Sequence, residues 1–409
     1  MDSFIYDIVI IGGGASGLML AANLDIGELG LSGVVLEGSP KPGSKLLMSG
    51  GGRCNLTHGG SIKDFVNCYG AAGPALRRCL YRHSNLEMMK WFDDLGIELT
   101  DEDGRIFPAS MKSRDVLDAL IGEAARNMWQ IETDVKAGAL ARSQAPDVGP
   151  VWEIHLRDRG PVYARNVVAA SGGITYPETG SDGSMLEILR GLGVEINEPR
   201  PALAPVYVND YPYSDLSGIS IPDVTVTAFG SDAACTCSGK AGRMTGDILF
   251  TREGFSGPAI LNVSRYAEPG QTIRLQYNKE LSDLPKRMQR ILKDRARGES
   301  GDVRTKKLAS LLDHDDFTVA SVDRRGMVTA GGVALSEIDL NTMQLKSFAN
   351  KNAYAQGTGA LYVIGEAIDA DGITGGYNLQ LCWSTALTAA ESIASGLRPR
   401  PIRACGIPY

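Results

Sequence analysis

The sequence lacks a long apolar run, a basic N-terminal segment and an excess of basic residues. No stretch approaches the ~20 apolar residues of a membrane-spanning helix. The N-terminal apolar run follows no basic segment and stops at three glycines, so we interpret it as a first strand and not as a signal peptide. The formal net charge of −7 argues against nucleic acid as the main partner. We therefore expect neither a membrane nor a nucleic-acid partner.

Closely paired cysteines are also scarce. The seven cysteines are scattered and odd in number, which favours reduced thiols in a cytoplasmic protein. No C-x-x-C pair is present, and this absence argues against a disulfide-reductase role. Cys235 and Cys237 lie two residues apart, but no histidine is close to them in the sequence, so we expect no metal site.

What is present is a glycine-rich turn between a strand and a helix. Residues 7–11 form a short apolar run of isoleucine and valine, which predicts a buried parallel strand. Residues 12–17, Gly-Gly-Gly-Ala-Ser-Gly, fit G-x-G-x-x-G, and residues 15–24 have helical character. The free N–H groups and the dipole at such a helix start favour a phosphate. The alternative is a glycine-rich turn in another kind of α/β protein, which the strand–turn–helix context disfavours.

A second predicted strand, residues 33–37, ends in Glu37. A carboxylate at this strand tip accepts the ribose hydroxyls of an adenosine, and it would repel a 2′-phosphate. The two strands and the acidic tip therefore predict an FAD or NAD site and disfavour NADP.

Residues 42–55 contain three consecutive glycines, which neither helix nor strand propensity explains. Their backbone is suited to close approach by a ligand. Arg53 can pair with a phosphate, and Asn55 offers both a donor and an acceptor. The alternative is a flexible surface loop, but the position soon after Glu37 favours a cofactor contact.

The remaining chain predicts an α/β fold with an insertion. Residues 74–95 are expected to be helical, with His83 at the surface, and Ser113 is expected to cap the next helix. Strands at 130–141, 151–157 and 161–170 form an antiparallel crossover that ends in small residues. Residues 198–280 have many prolines and alternating patterns, which predict a β-rich unit. The rest of the pattern comprises a helical segment at 281–324, parallel strands at 327–333 and 361–364, and a final helix from Leu379 with Asn378 as its N-cap.

A basic cluster accompanies the helical segment. It has two interpretations, a solvated helix face or a docking patch for an anionic partner. Its members are Lys286, Arg287, Arg290, Lys293, Arg295, Arg297, Arg304, Lys306 and Lys307.

Several motifs together make the chain resemble the BaiN/YhiN-like family of FAD-dependent oxidoreductases, which includes aminoacetone-oxidase-like flavoproteins. The matching stretches are DIVIIGGGASGL, KLLMSGGGRCNLT, GRIFPASMKSRDVLDAL, ASGGITYPETGSDG, GDILFTREGFSGPAIL, VTAGGVALSEID and LYVIGEAIDADGITGGYNLQ. The loop after Gly180 is shorter than in the family, and residues 350–359 look inserted. The resemblance implies a Rossmann-like FAD domain of the two-dinucleotide-domain flavoprotein type, formed by residues 1–197 and 325–409. Residues 198–280 would be an inserted β-barrel-like substrate domain and residues 281–324 a small helical unit.

The resemblance also implies the cofactor contacts. Residues that would hold the pyrophosphate and the adenosine are Gly12, Gly14, Ala15, Ser16, Gly17, Glu37 and Val135. Residues that would line the cleft and contact the ribityl chain are Lys45, Ser49, Gly52, Arg53, Cys54, Asn55, Ser171, Gly172, Gly365 and Glu366. Residues that would lie against the N1/O2 edge of the isoalloxazine are Gly375, Gly376, Tyr377, Asn378 and Leu379. No catalytic acid or base stands out, and the candidates are Tyr176, Tyr377, Arg252 and Glu253.

The function that follows is an FAD-dependent oxidoreductase acting on a small molecule, with a nicotinamide or oxygen as the second redox partner. The chain has one dinucleotide fingerprint and no second one, so NAD(P)H would bind transiently. Three alternatives stay open at this point: a redox-responsive FAD-binding protein with little turnover, an amine oxidase of the aminoacetone-oxidase type, and an RNA-modifying flavoprotein. The substrate and the oligomeric state do not follow from the sequence.

Overall fold

The computed structural model describes residues 4–145, 148–229, 242–296, 301–348 and 359–396. Cys235, Cys237, Arg297, Cys405 and the expected insertion after residue 349, except Gly359, lie outside these ranges. The strands are β1 Ile5–Ile11, β2 Gly33–Leu36, β3 Thr57–His58, β4 Leu99–Glu102, β5 Arg105–Pro108, β6 Gln130–Glu132, β7 Ala137–Ala145, β8 Gly149–Leu156, β9 Val162–Ala169, β10 Ile196–Ala202, β11 Val206–Val208, β12 Ser220–Phe229, β13 Arg243–Phe250, β14 Gly254–Ser256, β15 Thr272–Gln276, β16 Asp315–Val322, β17 Val328–Val333, β18 Ile338–Asp339, β19 Gln344–Leu345 and β20 Leu361–Val363.

Eight of the described helices belong to the main domain, and α8, α9 and α10 belong to the insertion. They are α1 Ala15–Ala22, α2 Ser44–Met48, α3 Ile62–Asn67, α4 Gly73–Arg82, α5 Asn85–Asp94, α6 Ser113–Arg126, α7 Ser184–Gly191, α8 Pro258–Val263, α9 Lys286–Arg295, α10 Gly301–Asp313 and α11 Tyr377–Gly396. In the described ranges, no helix combines the length and apolarity needed to cross a membrane.

The main sheet has the order β18-β19-β20-β9-β1-β2-β6, and its five strands from β20 to β6 are parallel. The apolar run predicted as the first strand is its centre: Ile8, Val9 and Ile10 are fully buried. The Rossmann-like prediction is therefore confirmed. Gly17 allows helix α1 to pack closely on the end of β1, since a Cβ at this position would collide with the carbonyl oxygen of Gly12.

The crossover is antiparallel as expected, through β7, β8 and β9. The predicted strand 130–141 is, however, two strands: β6 pairs with β2, and β7 pairs with β8. The break occurs because Asp134 has a positive φ of 57° and its N–H donates to Ser39. The N–H of Val135 likewise donates to Glu37, at 2.8 Å, so the segment is tied to the loop after β2.

The insertion contains a closed six-stranded barrel with the order β11-β14-β13-β12-β15-β16. Its interior holds aromatic side chains that pack edge to face, including Tyr213, Phe250, Phe255 and Phe317. Helices α9 and α10 lie between β15 and β16, so the barrel closes with a strand from the end of the range assigned to the helical unit. The predicted barrel insertion is confirmed.

An antiparallel pair, β10 and β17, connects the insertion with the main domain. We call this pair, with the adjoining residues Leu203 and Met327, the connector. The parallel interpretation of residues 327–333 is therefore wrong. Strand β17 pairs with the outgoing chain at β10, and its parallel contact with the main domain is the single bridge from Val333 to Ile368.

Three local predictions need correction. The helix expected at 74–95 is broken at His83, because Ser84 starts α5 with a reciprocal capping box with Glu87. His83 is buried, and its carbonyl accepts hydrogen bonds from Gln380 and Ser384 on α11. Ser113 is the first residue of α6 and donates to Leu47 instead of capping the helix.

Candidate active site

A cavity of about 920 Å³ opens at the edge of the main sheet that is formed by the carboxyl ends of β1, β2, β9 and β20. Ligands of open α/β sheets bind at this edge, and the volume lies near the upper end of the ~300–1,000 Å³ range of ligand pockets. Most of the sequence-predicted cofactor residues line it. They are Gly12, Gly14, Ala15, Ser16, Glu37, Lys45, Ser49, Arg53, Asn55, Val135, Ser171, Gly172, Glu366, Gly375, Gly376, Asn378 and Leu379, together with the catalytic candidate Tyr176.

Seven other predicted residues are not among the cavity-lining residues: Gly17, Gly52, Cys54, Gly365, Tyr377, Arg252 and Glu253. Cys54 is fully buried, and burial raises the pKa of its thiol to about 12, so the thiol is neutral at physiological pH. Tyr377 packs against the aromatic ring of Phe65. Arg252 and Glu253 lie in the turn between the barrel strands β13 and β14.

The nucleotide end of the cavity is formed by β1, α1 and the tip of β2. Gly12 has a φ of 111°, and a Cβ there would come within 2.6 Å of the Ala170 carbonyl oxygen, so the tight turn requires glycine. At Gly14, the position before α1, no atom lies within 4 Å of an added Cβ. The helix start is therefore open to the cavity, as a pyrophosphate requires.

Glu37 is held in place at this end by short local hydrogen bonds. Its carboxylate accepts from the N–H of Gly13 at 2.8 Å and from the N–H and hydroxyl of Ser39 at 2.7 and 2.5 Å. The side chain is buried yet borders the cavity. The open helix start and the fixed carboxylate fit the adenosine diphosphate half of FAD.

The middle of the cavity contains a polar network around Glu366. Lys45 Nζ lies 2.8 and 2.6 Å from its two carboxylate oxygens and 2.7 Å from Thr175 Oγ1. Glu366 also accepts from Thr175 and, at 2.7 Å, from the N–H of Thr329 on β17. Of these residues, Lys45 and Glu366 line the cavity, so a carboxylate and an ammonium group are available to a polyhydroxylated chain. The bond from Thr329 ties the connector to Glu366.

The far end of the cavity is the loop 371–376 that precedes α11. Gly376 has a φ of 97°, and a Cβ there would collide with the carbonyl of Thr57. Asn378 does not cap α11 as predicted, because the helix already begins at Tyr377. Instead its side chain accepts from the N–H of Gly372 at 2.8 Å and donates to the Gly372 carbonyl at 3.0 Å.

The inserted domain holds the same loop from its other side. Arg265 donates to the Asp371 carbonyl at 3.1 Å and forms an ion pair with its carboxylate at 2.8 Å, and both side chains are buried. Asn262 accepts from the N–H of Thr374 at 2.8 Å. Burial raises the pKa of Asp371, and the Arg265 charge opposes this rise. The far wall of the site thus depends on contacts across the domain boundary.

Several cavity residues have no role in the sequence-based site. Leu203, Met327 and Val328 come from the connector, and Asp247, Pro258 and Leu261 come from the barrel. The sequence analysis assigned none of these six residues to the site, because their closeness to the glycine turns arises only in the folded chain.

A second group, His58, Asp103, Arg105 and Phe107, comes from the small sheet β3-β5-β4. The sequence analysis missed His58, although it follows the KLLMSGGGRCNLT stretch directly and lies three residues after Asn55, a signal that could have pointed to it.

Tyr176 borders the cavity with an unusual backbone. Its φ of 57° and ψ of 60° place it in the left-handed region, just before the short turn Pro177–Thr179. Non-glycine residues adopt this conformation uncommonly, and such positions concentrate at functional sites. This observation keeps Tyr176 as a candidate contact of bound ligand.

Comparison with known proteins gives relatives along nearly the whole chain. The HI0933-like protein Rossmann domain family matches residues 6–392. A ribosomal RNA dihydrouridine synthase of Haemophilus influenzae is 28% identical, covering 94% of this chain and 98% of that protein. A 3-dehydro-bile acid delta(4,6)-reductase of Clostridium scindens is 27% identical, covering 95% of this chain and 98% of that protein.

Among solved structures, E. coli quinol fumarate reductase FrdA superposes with a TM-score of 0.52 at 14% identity, covering 97% of this chain and 71% of that chain. At this identity the likeness concerns the fold alone. The family match extends over nearly the whole chain and the fold agrees with it, so the chain belongs to the HI0933-like Rossmann-domain family of FAD-dependent oxidoreductases.

Proposed function

We propose that the protein reduces a carbon–carbon double bond conjugated with a carbonyl group, using FAD reduced by a nicotinamide. The observation that carries this proposal is the continuity of the cavity: it runs from Glu37 at the nucleotide end to Leu203, Leu261 and Val328 beneath the insertion. FAD supplies the hydride chemistry when bound. The protein would hold its adenosine at Glu37 and its ring edge at Gly375 and Gly376, which leaves the compartment beneath the insertion for the substrate.

The reaction class is supported by the names of the relatives. Dihydrouridine synthesis saturates a double bond conjugated with a uracil carbonyl, and a delta(4,6)-reductase of a 3-dehydro compound saturates double bonds conjugated with the 3-ketone. The two names share this chemical step although their substrates differ greatly in size. We infer that the FAD end is common to such enzymes and that the insertion sets the substrate.

The electron donor is proposed to be NADH or NADPH, bound transiently. The described chain has one glycine fingerprint with an acidic strand tip and one cavity that joins it to the insertion. Donor and substrate would therefore use the same face of the cofactor in turn, which predicts ping-pong kinetics. Converging double-reciprocal lines, or nicotinamide and substrate bound at once, would contradict a shared site.

The proposal is tested by anaerobic half-reactions of the purified holoprotein. In separate samples, its FAD is reduced by NADH, by NADPH or by light. Reduction by light is the reference, because it needs no nicotinamide site. The reduced protein is mixed with a cyclic enone or with the matching saturated ketone, and the oxidised protein is mixed with aminoacetone. We expect reoxidation by the enone and none by the ketone. If aminoacetone reduces the oxidised protein and enones do not reoxidise it, the amine-oxidase alternative replaces this proposal.

A uridine within RNA is a second candidate substrate, because it carries the same conjugated group. The observation in its favour is the basic face of α9, which carries Lys286, Arg290 and Lys293. Three members of the cluster have partners within the insertion. Arg287 donates to the carbonyl of Asp215, Arg304 donates to the carbonyl of Lys293, and Arg295 forms an ion pair with Asp315. Dihydrouridine formed in RNA, with binding that falls steeply as salt rises, would support this candidate.

A further inference from the structure

His58 lies in the wall of the cavity, close to the glycine turn before α11. It belongs to the two-residue strand β3 and pairs with Arg105 of β5. Its ring is nearly parallel to that of Tyr377, with centroids 5.1 Å apart and an interplanar angle of 15°. The edge of Phe65 packs on it from a centroid distance of 6.4 Å. The imidazole is therefore fixed by aromatic neighbours and is not a mobile surface group.

Two glycines leave room for one edge of this ring. A Cβ at Gly104 would lie 2.5 Å from Cε1 and 2.9 Å from Nε2 of His58. A Cβ at Gly375 would lie 3.2 Å from Cδ2. The Nε2 edge thus points between the tip of the β4–β5 hairpin and the turn at Gly375, and Asp103, Arg105 and Gly375 all line the cavity there.

The hydrogen bond at the opposite nitrogen determines the tautomer. Nδ1 lies 2.9 Å from the carbonyl oxygen of Gly59. A carbonyl only accepts, so Nδ1 carries a hydrogen in both protonation states. Nε2 is then the nitrogen that gains and loses the proton. In the described part of the chain it has no hydrogen-bond partner.

Charged groups of the β4–β5 hairpin lie close to the ring. From the hairpin, Asp101 accepts from the N–H of Gly104 at 2.6 Å, and Asp103 lies 3.8 Å from the guanidinium of Arg105. Tyr377 of α11 has a pKa raised well above its usual value, mainly by burial, so its hydroxyl stays neutral. Asp64 of α3 and Cys68, which follows this helix, interact electrostatically with Tyr377. A second guanidinium, that of Arg53, also lines the cavity and pairs with Glu102 of the hairpin at 3.1 Å.

We propose that His58 takes up a proton at Nε2 when the bound FAD is reduced and that the imidazolium stabilises the negative charge at the cofactor edge beside Gly375. This rests on the proposed placement of FAD. A nicotinamide would supply the hydride that reduces the cofactor. Nε2 would take its proton from solvent on reduction and release it to solvent on reoxidation. The N-terminus of α11 adds its partial positive charge at the same edge.

The test compares midpoint potentials of the holoprotein and three variants between pH 6 and 9. In His58→Gln, the equilibrium constant for reduction should fall about tenfold at the acidic end, which is ~30 mV for a two-electron couple. The pH dependence should also flatten. In His58→Lys, a permanent charge should keep the potential near the wild-type acidic value. His155→Gln is the matched control, since His155 is half exposed on β8 beside Glu153, and it should behave as wild type.

Proton uptake during photoreduction in weak buffer gives a second readout. His58→Gln should take up fewer protons per FAD than wild type. Equal potentials and equal proton uptake in wild type and His58→Gln would overturn the inference. So would loss of FAD by both His58 variants with unchanged far-UV spectra, because His58 would then be a packing residue. A wild-type protein that binds no FAD would instead overturn the proposed function.

Discussion

The two ends of the cavity are built in different ways. At the nucleotide end, Gly12, Gly14, Glu37 and Ser39 come from fewer than 30 consecutive residues of one βαβ unit, and their hydrogen bonds are local. At the far end, the loop 371–376 is held by contacts that reach far along the chain. The comparison shows one end fixed by a continuous motif and the other assembled from the main domain and the insertion.

The largest effect on FAD binding is expected from a negative charge at the start of α1, in the nucleotide end of the cavity. Gly14 occupies the N-cap position of α1 in an extended conformation, with open space around an added Cβ. Aspartate suits an N-cap, so Gly14→Asp should fold normally while its carboxylate occupies the phosphate position. We expect FAD affinity to fall at least a hundredfold by fluorescence titration.

The matched control is Gly122→Asp in α6, where an added Cβ also meets nothing and which is not among the cavity-lining residues. It should bind FAD as wild type does. Retained affinity in Gly14→Asp would mean that the phosphates bind elsewhere.

The far end of the cavity should be weakened by a substitution in the insertion. Arg265→Met leaves the buried Asp371 carboxylate without its partner, and such changes destabilise by about 3–5 kcal/mol. We expect a lower urea midpoint and weaker FAD binding, both partly restored by adding Asp371→Asn. The control is Arg274→Met, which removes the more exposed Arg274–Asp316 pair of the barrel and should change stability by only about 0–1 kcal/mol. Equal effects of the two arginine variants would show that the domain-boundary contact has no special role.

The same variant makes a prediction for pH. Burial raises the pKa of Asp371, and removing Arg265 should raise it further. The folded variant then binds a proton that the unfolded chain releases at about pH 4. Stability from this group is present below the unfolded pKa and lost as pH rises through the folded one. The deficit of Arg265→Met against wild type should therefore shrink as pH falls from 7 to 5. A deficit that is constant or grows towards pH 5 in urea unfolding would contradict this account.

The smallest effect is expected when the native protein is treated with an alkylating reagent that targets Cys54. It lies in the glycine-rich stretch, but its pKa of about 12 leaves roughly one thiol in ten thousand ionised at pH 8. Alkylation at pH 8 should label it only after unfolding, as peptide mass spectrometry would show. Rapid labelling of the native holoprotein would instead indicate a reactive thiol at the cavity.

The contrast between the two ends also explains what the sequence could predict. Strand β1, the glycine turn and Glu37 follow from patterns within one unit, and they are confirmed as elements of the fold. The antiparallel pairing of residues 328–333 was missed, because an apolar run does not reveal its partner strand. The buried position of His83 was missed for a similar reason: its neighbours Gln380 and Ser384 are about 300 residues away.

The residues of the site also divide into those that the sequence indicated and those that only the fold brings together. The sequence indicated the residues at the ends of the parallel strands, because motif spacing identifies them. It did not indicate Leu203, Leu261 or Arg265, since only the folded chain brings the two leucines to the cavity and Arg265 to the loop 371–376. Lys45 and Glu366 were named separately, and only the fold shows that they form one network with Thr175 and Thr329.

The most direct test of the account is a crystal structure of the oxidised holoprotein with its native cofactor. The account predicts FAD, with its adenosine ribose hydrogen-bonded to Glu37, its phosphates at the start of α1 and its ring edge against Gly375 and Gly376. It would be contradicted by FMN in place of FAD, or by an isoalloxazine that lies away from the loop 371–376.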